Sequence, residues 1–173
     1  MPEWVELVKA AQAGDRDAFG VLLDGQARSA YRVSQVIVRN QAMAQDAVQE
    51  ASIRAWRDIT GLRDAERWPQ WFRRLVVRSA IDQTRRESRH RRSAPFAAMV
   101  QTEDPTSAIS ERDDLRTALL SLSADDRAIL ALRFAADLEV PDIADSLAIP
   151  LGTAKSRLHR ALARLRQALE EHP

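Results

Sequence analysis

Between Thr153 and Arg164 the chain spaces hydroxyls, an ammonium, an imidazole and three guanidinium groups so that a helix would carry most of them on one side. Projected at about 100° per residue, Ala154, Leu158, Ala161, Leu162, Leu165, Ala168 and Leu169 fall in one arc. Ser156, His159, Arg160, Ala163 and Gln167 lie opposite, flanked by Thr153, Lys155, Arg164 and Arg166. Such groups bond base edges and phosphates, which is the chemistry of a helix laid in a major groove. Arg157 projects nearer the packed seam, as a pairing or phosphate-clamping residue rather than a base reader. The bland alternative is a basic, solvated helix in an Ala- and Leu-rich bundle.

No other chemistry competes with this one. The chain has no cysteine, which excludes disulfides and thiolate metal sites. Its three histidines, His90, His159 and His172, fall in no metal-ligand or catalytic-triad spacing. No catalytic residue, metal ligand or cofactor is expected.

The elements that must position the basic helix can be read from the same stretch. Asp137 to Leu169 reads as two helices joined by a tight turn, a helix-turn-helix. Pro141 suits the first position of the shorter helix, and Asp142 places a carboxylate at its positive end. Ala148-Ile149-Pro150 breaks the pattern, because the residue before a proline is pushed out of the helical region. The second helix begins near Leu151-Gly152.

Charge divides the rest of the chain. Formal net charge is only +1, yet Trp71 to Arg92 holds eight arginines against Asp82 and Glu87. From Ser93 to Asp126 the balance reverses, with seven acids against Arg112 and Arg116. At 173 residues, two small domains fit this segmentation better than one large one. No window approaches the length of a membrane span or the apolar core of a signal peptide, so a soluble, cytoplasmic protein is expected.

Glu3 to Ala13 reads as a short helix stopped by Gly14. Asp15 then caps a longer one to about Val38, and Asn40 caps a third to about Trp56. In the third, Ala44, Ala47, Val48, Ala51 and Ala55 form a packed stripe, opposite Asp46, Gln49, Glu50, Ile53 and Trp56. Apolar groups framed by acids and an amide read as a surface for another protein. Trp56 keeps two readings, contact residue or tryptophan folded back into its own core.

Asp58 to Glu66 reads as a loop, followed by a helix from Arg67 or Trp68 to about His90. Trp68, Phe72, Leu75, Val76 and Ser79 form its inner seam, and Arg74, Val77, Arg78, Ile81 and Arg85 project outward. Arginines beside exposed apolar groups suit phosphate and base contact on an opened strand, with a solvated basic helix end as the alternative. Residues 93–109, with two prolines and weak periodicity, read as a linker. Beyond it Ser110 to Leu122 is helical. Ser123-Ala124-Asp125-Asp126 resembles a capping box opening a helix to Ala135, whose Ile129, Leu130, Leu132 and Phe134 pack toward the helix-turn-helix.

These stretches carry a family resemblance. The run Pro150 to Ala161, PLGTAKSRLHRA, resembles the region 4 recognition helix of bacterial RNA polymerase sigma factors of the extracytoplasmic-function (ECF) group, in the sigma-70 family. Asp46 to Glu50 through Arg54-Ala55-Trp56 resembles their region 2.2, which grips the β′ clamp helices of the polymerase. The resemblance implies an all-α fold with two small helical domains joined by a flexible linker. Residues 1–92 would be the region 2-like domain, 93–109 the linker and 110–173 the region 4-like helix-turn-helix domain. It implies an alternative sigma factor, not an enzyme, that directs core RNA polymerase to specific promoters. The implied partners are core RNA polymerase (β′ clamp helices and β subunit), promoter DNA and an anti-sigma factor, without membrane insertion.

Residue by residue, the resemblance implies −35 contacts by Thr153, Lys155, Ser156, Arg157, His159, Arg160 and Arg164. It implies −10 contacts by Arg63, Arg74, Val77, Arg78, Ile81 and Arg85, and core contacts by Asp46, Gln49, Glu50 and Trp56, to which the reading of the helix face adds Ile53. One position departs from the family, where many members carry asparagine and this chain has Arg78, a group that only donates hydrogen bonds. The linker has two readings, a plain tether or a segment that threads toward the polymerase active-site cleft. Two rivals are weighed against the sigma reading. A stand-alone helix-turn-helix regulator has no need of the Asp46 to Trp56 face, and a nucleic-acid enzyme would need clustered carboxylates or histidines.

Overall fold

The computed structural model describes residues 2–93 and 111–171, and among these it is helical with no strand. The linker expected at 93–109 lies outside the described residues except for Ser93, which ends a helix. Eight α-helices follow in order: α1 (Trp4–Gln12), α2 (Arg16–Ile37), α3 (Gln41–Asp58), α4 (Trp68–Ser93), α5 (Glu111–Ser121), α6 (Ala124–Leu130), α7 (Val140–Leu147) and α8 (Leu151–Glu170).

Short polar side chains set the starts. Asp15 accepts the N–H groups of Asp17 and Ala18 at 2.9 and 3.0 Å, Asn40 accepts that of Met43 at 2.8 Å, and Ser123 accepts that of Asp126 at 3.1 Å. Gly14, at φ 99, makes the turn between α1 and α2 that a side chain would resist. Between α3 and α4 the expected loop contains two 3-10 turns, Ile59–Gly61 and Ala65–Arg67.

Helices α2, α3 and α4 run up, down and up, and each feeds two apolar clusters. One cluster is wholly N-terminal: Val8, Ala11, Phe19, Leu22, Ala51, Ala55, Trp68, Phe72 and Val76. Its aromatic centre has Trp68 stacked on Phe72 with centroids 5.3 Å apart and Phe19 edge-on to Trp68 at 6.1 Å. The other end of the same three helices, with Val33, Ile37, Ala44, Ala47, Val77 and Ala80, shares a second cluster with the C-terminal helices. There Ala118, Leu122, Ile129, Leu132, Ile143 and Ala161 complete the core.

α6 does not continue as a plain α-helix to Ala135. Ala131–Ala135 is a π turn, closed by the Ala136 N–H to the Ala131 carbonyl at 3.0 Å. The wider turn advances the register, so Phe134 leaves the apolar arc in which it was expected and stands 65% exposed. The Arg133 guanidinium lies 5.9 Å from its ring centroid.

α7 starts at Val140, which places Pro141 at the second helical position, where its missing N–H is equally harmless. Ala148 ends it in the left-handed region at φ 53, and the Ile149 N–H closes on the Ala144 carbonyl at 3.0 Å. Pro150, extended at ψ 146, opens α8. The turn aims α8 back across α5 and α6.

Candidate nucleic-acid and polymerase interfaces

The face of α8 is as its projection requires. Ala154, Ala161 and Ala168 are buried, Leu158, Leu162, Leu165 and Leu169 pack against the shared core, and Lys155, Ser156, His159 and Arg160 are exposed. Thr153 is half-buried, and its carbonyl accepts the Ser156 hydroxyl at 3.0 Å. Arg160 donates its Nε to the Ser156 carbonyl at 3.2 Å, which lays the guanidinium along the helix with its terminal nitrogens outward. Arg157, expected near the packed seam, is exposed and makes no side-chain hydrogen bond or ion pair among the described residues.

Arg164 is held differently. Its Nη1 pairs with Asp126 at 2.5 Å, and Asp126 is only 12% exposed. The same Asp126 offers its backbone N–H to Ser123, so one aspartate joins the start of α6 to the middle of α8. The capping box is therefore half formed, the Asp126 carboxylate reaching an arginine instead of turning back to the cap.

α4 departs from its projection. Val77, expected outward, is 3% exposed and belongs to the shared core, and Ile81 packs against that core half-buried. The reason is a second partner: α6 and α7 lie against the side of α4 away from its aromatic seam. Arg74 donates to the Asp145 carbonyl of α7 at 2.5 Å, and Arg85 pairs with Asp125 of α6 at 3.4 Å. Arg73, half-buried, has its pKa lowered by burial, opposed by the Asp142 carboxylate of α7. Among the −10 candidates, Arg63 and Arg78 are exposed with no side-chain partner among the described residues.

On α3, Asp46, Gln49 and Ile53 are exposed, Ile53 at 48%. Glu50 is turned inward to its own chain: Arg54 reaches it at 2.5 Å and Arg86 of α4 at 3.2 Å. Burial alone would raise the Glu50 pKa, but these two guanidinium groups outweigh it and hold the carboxyl below its usual range. Trp56 is half-buried with its ring 5.0 Å from that of Phe19, so the core reading describes much of this side chain.

Sequence reasoning missed Arg127. It is 2% exposed, donates to the Ile37 carbonyl and the Leu122 carbonyl at 2.6 Å each, and no carboxylate pairs with it among the described residues. Burial, with a smaller contribution from nearby Arg39, lowers its pKa to about 10. The available signal was an arginine directly before the apolar run Ala128 to Leu132. Among the described residues no group of three or more His, Asp or Glu is placed to hold a metal ion.

Comparison with known proteins places this geometry. Residues 25–90 match the model of Sigma-70 region 2, and residues 112–165 that of Sigma-70, region 4. The chain is 32% identical over 164 residues to the ECF RNA polymerase sigma factor SigM of Mycobacterium tuberculosis, covering 95% of this chain and 83% of that protein. Among solved structures, CnrH in complex with the cytosolic domain of CnrY has the same fold, with a TM-score of 0.73 at 20% identity over 98% of both chains. The sigma factor RpoE in complex with the anti-sigma factor NepR from Bartonella quintana has a TM-score of 0.63 at 24% identity, over 91% of this chain and 98% of that one.

Proposed function

Because the chain belongs to the ECF RNA polymerase sigma factors of the sigma-70 family, we propose that its three outward faces divide promoter recognition and polymerase binding among them. As a sigma factor it joins core RNA polymerase, directs it to promoters and starts transcription without being an enzyme itself. In the division proposed, α8 reads the −35 element through Lys155, Ser156, His159 and Arg160, with Thr153 and Arg157 on phosphates. α4 and the loop before it engage the −10 element through Arg63, Arg74, Arg78 and Arg85, with Val77 and Ile81 beside them. Asp46, Gln49 and Ile53 of α3 meet the β′ clamp helices, with Glu50 and Trp56 shaping that face from behind.

The domain division follows the same lines, 1–92 for core binding and −10 recognition, 93–109 as linker and 110–173 for −35 recognition. Work on RNA polymerase supports a cytoplasmic location, and no helix among the described residues is long and apolar enough to cross a membrane. The RpoE–NepR complex supports an anti-sigma factor as a further partner.

The observation that carries this reading is the α8 face, basic and open opposite a buried alanine seam, within the stretch that matches region 4. Run-off transcription with core polymerase on a promoter library tests it. Promoter-dependent transcripts that require this protein are expected. Duplex binding with no polymerase-dependent transcript would sink the reading in favour of a stand-alone regulator.

A further inference from the structure

We infer that Gln12 is a positioning residue for −10 recognition: from the end of α1 its amide holds the backbone of loop 59–67 in the shape that presents Arg63. The inference deepens the −10 reading proposed above and rests on the part of it that assigns this loop. Gln12 lies ahead of residues 25–90, the stretch matched to Sigma-70 region 2, and belongs to none of the three proposed faces.

The Gln12 Nε2 donates to the Ile59 carbonyl at 2.9 Å and to the Leu62 carbonyl at 2.8 Å. Only the NH2 end of an amide can face two carbonyl oxygens, so both of its N–H donors are spent on this loop. The Ile59 carbonyl also accepts the Leu62 N–H at 3.0 Å, which closes the turn between them. Leu62 then turns extended, at ψ 97, so its carbonyl has no place in a helical ladder, and Gln12 supplies the donor. The other end of α1 reaches the same loop, where Trp4 Nε1 donates to the Glu66 carbonyl at 3.4 Å. Between the two, Val8 and Ala11 pack in the N-terminal core with Ile59, Leu62 and Trp68. Ile59 and Leu62 are buried while Thr60, Gly61, Arg63 and Asp64 are exposed, so a fixed backbone carries an open tip. A loop that is already ordered gives up less conformational freedom on binding, and its side chains meet one register of bases rather than several.

The test compares wild-type holoenzyme with holoenzymes carrying the full chain with Gln12→Met, Gln12→Lys or Arg63→Ala. Methionine keeps the length of the side chain without a donor, whereas an ammonium restores donors for both carbonyls. Transcription from a library of randomised −10 elements behind one −35 element is read at one salt concentration. Amide exchange of residues 59–67, −35 duplex binding and core affinity are measured beside it. Gln12→Met is expected to flatten the preference between the best and worst −10 sequences by roughly threefold to tenfold, the range set by loss of one or two hydrogen bonds. The flattening should fall at the positions that Arg63→Ala also relaxes, with faster exchange in 59–67 and with −35 binding and core affinity unchanged. Gln12→Lys should recover most of the preference. Where Arg63→Ala alters the −10 profile and Gln12→Met does not, the inference is overturned. A uniform loss on every promoter overturns it too, since Gln12 would then act on stability alone. Arg63→Ala with an unchanged profile overturns the assignment of the loop itself, and the inference with it.

Discussion

Two helices carry the proposed DNA contacts, and the fold treats them oppositely. α8 packs on one side only, so the face that its heptad-like spacing marks as polar is open. α4 packs on two sides, with Trp68, Phe72 and Val76 in the N-terminal core and Val77, Ala80 and Ile81 against the C-terminal helices. A helical projection sorts side chains well where one face is buried. Where two are, the apolar residues of the second seam look like exposed contact groups, and Val77 and Ile81 were expected outward for that reason. A helix that must be read by DNA and also covered needs both kinds of residue on one face.

The largest effect should come from the residue that joins the two regions. Arg127→Ala removes a buried guanidinium, leaves the Ile37 and Leu122 carbonyls short of a donor, and opens a cavity, at an expected cost of about 3 kcal/mol. Arg127→Met fills most of the volume and also deletes a buried, unpaired charge, so its cost should be about 1 kcal/mol. Urea unfolding midpoints with an unchanged slope check both. Equal losses for the two variants would mean that volume and desolvation do not set the effect.

Much of the fold was legible because local chemistry decided it. Asp15, Asn40 and Ser123 cap helices at the starts that their types announce, and Ile149-Pro150 breaks the chain before α8. What escaped depends on contacts far apart in sequence. Arg164 is spoken for by Asp126, Glu50 by Arg86, and Arg74 by the Asp145 carbonyl, separations of 38, 36 and 71 residues. No period reports such pairings. Phe134 escaped for a local reason, since one π turn is enough to rotate a side chain out of its expected arc.

Within α8 the contrast between an arginine bonded only to its own helix and one paired with α6 can be measured. Arg160→Ala should cost about 1 to 3 kcal/mol of −35 discrimination and relax preference at one position, as loss of a bidentate base contact does. Arg164→Ala should instead lower stability by about 1 kcal/mol through the lost Asp126 pair, and weaken DNA binding evenly across sequences if at all. Selections over randomised −35 duplexes, run beside thermal melts, separate the two. An unchanged selection with Arg160→Ala removes it from the reading set.

Arg78 is the −10 candidate of α4 that is exposed and has no side-chain hydrogen bond or ion pair among the described residues, and Arg78→Asn should shift −10 preference by about 1 kcal/mol between sequences. A guanidinium favours guanine acceptors or stacks on an unpaired base, whereas an amide both donates and accepts. Stability, −35 preference and core binding should stay as they are, because Arg78 makes no side-chain hydrogen bond or ion pair among the described residues. Transcription from randomised −10 elements at one salt concentration is the measurement. Activity lost equally on every promoter would make Arg78 a phosphate contact and move specificity to the loop around Arg63.

The smallest effect belongs to the third surface, where Glu50 fastens α3 to Arg86 on the C-terminal half of α4. Its carboxyl is held below the usual 4.5 in the folded chain, because the arginine pairs outweigh burial. The unfolded chain therefore binds the proton first as pH falls, and folding is stabilised above about pH 4.5 by a contribution lost as pH drops through the folded pKa. Glu50→Gln should remove that contribution, lowering stability at neutral pH by about 0.5 kcal/mol and flattening the acid limb of the stability curve. If the two proteins lose stability in parallel between neutral and acid pH, the Arg54 and Arg86 pairs together add nothing. The face around Gln49 and Ile53 would then be positioned by the alanine stripe of α3 alone.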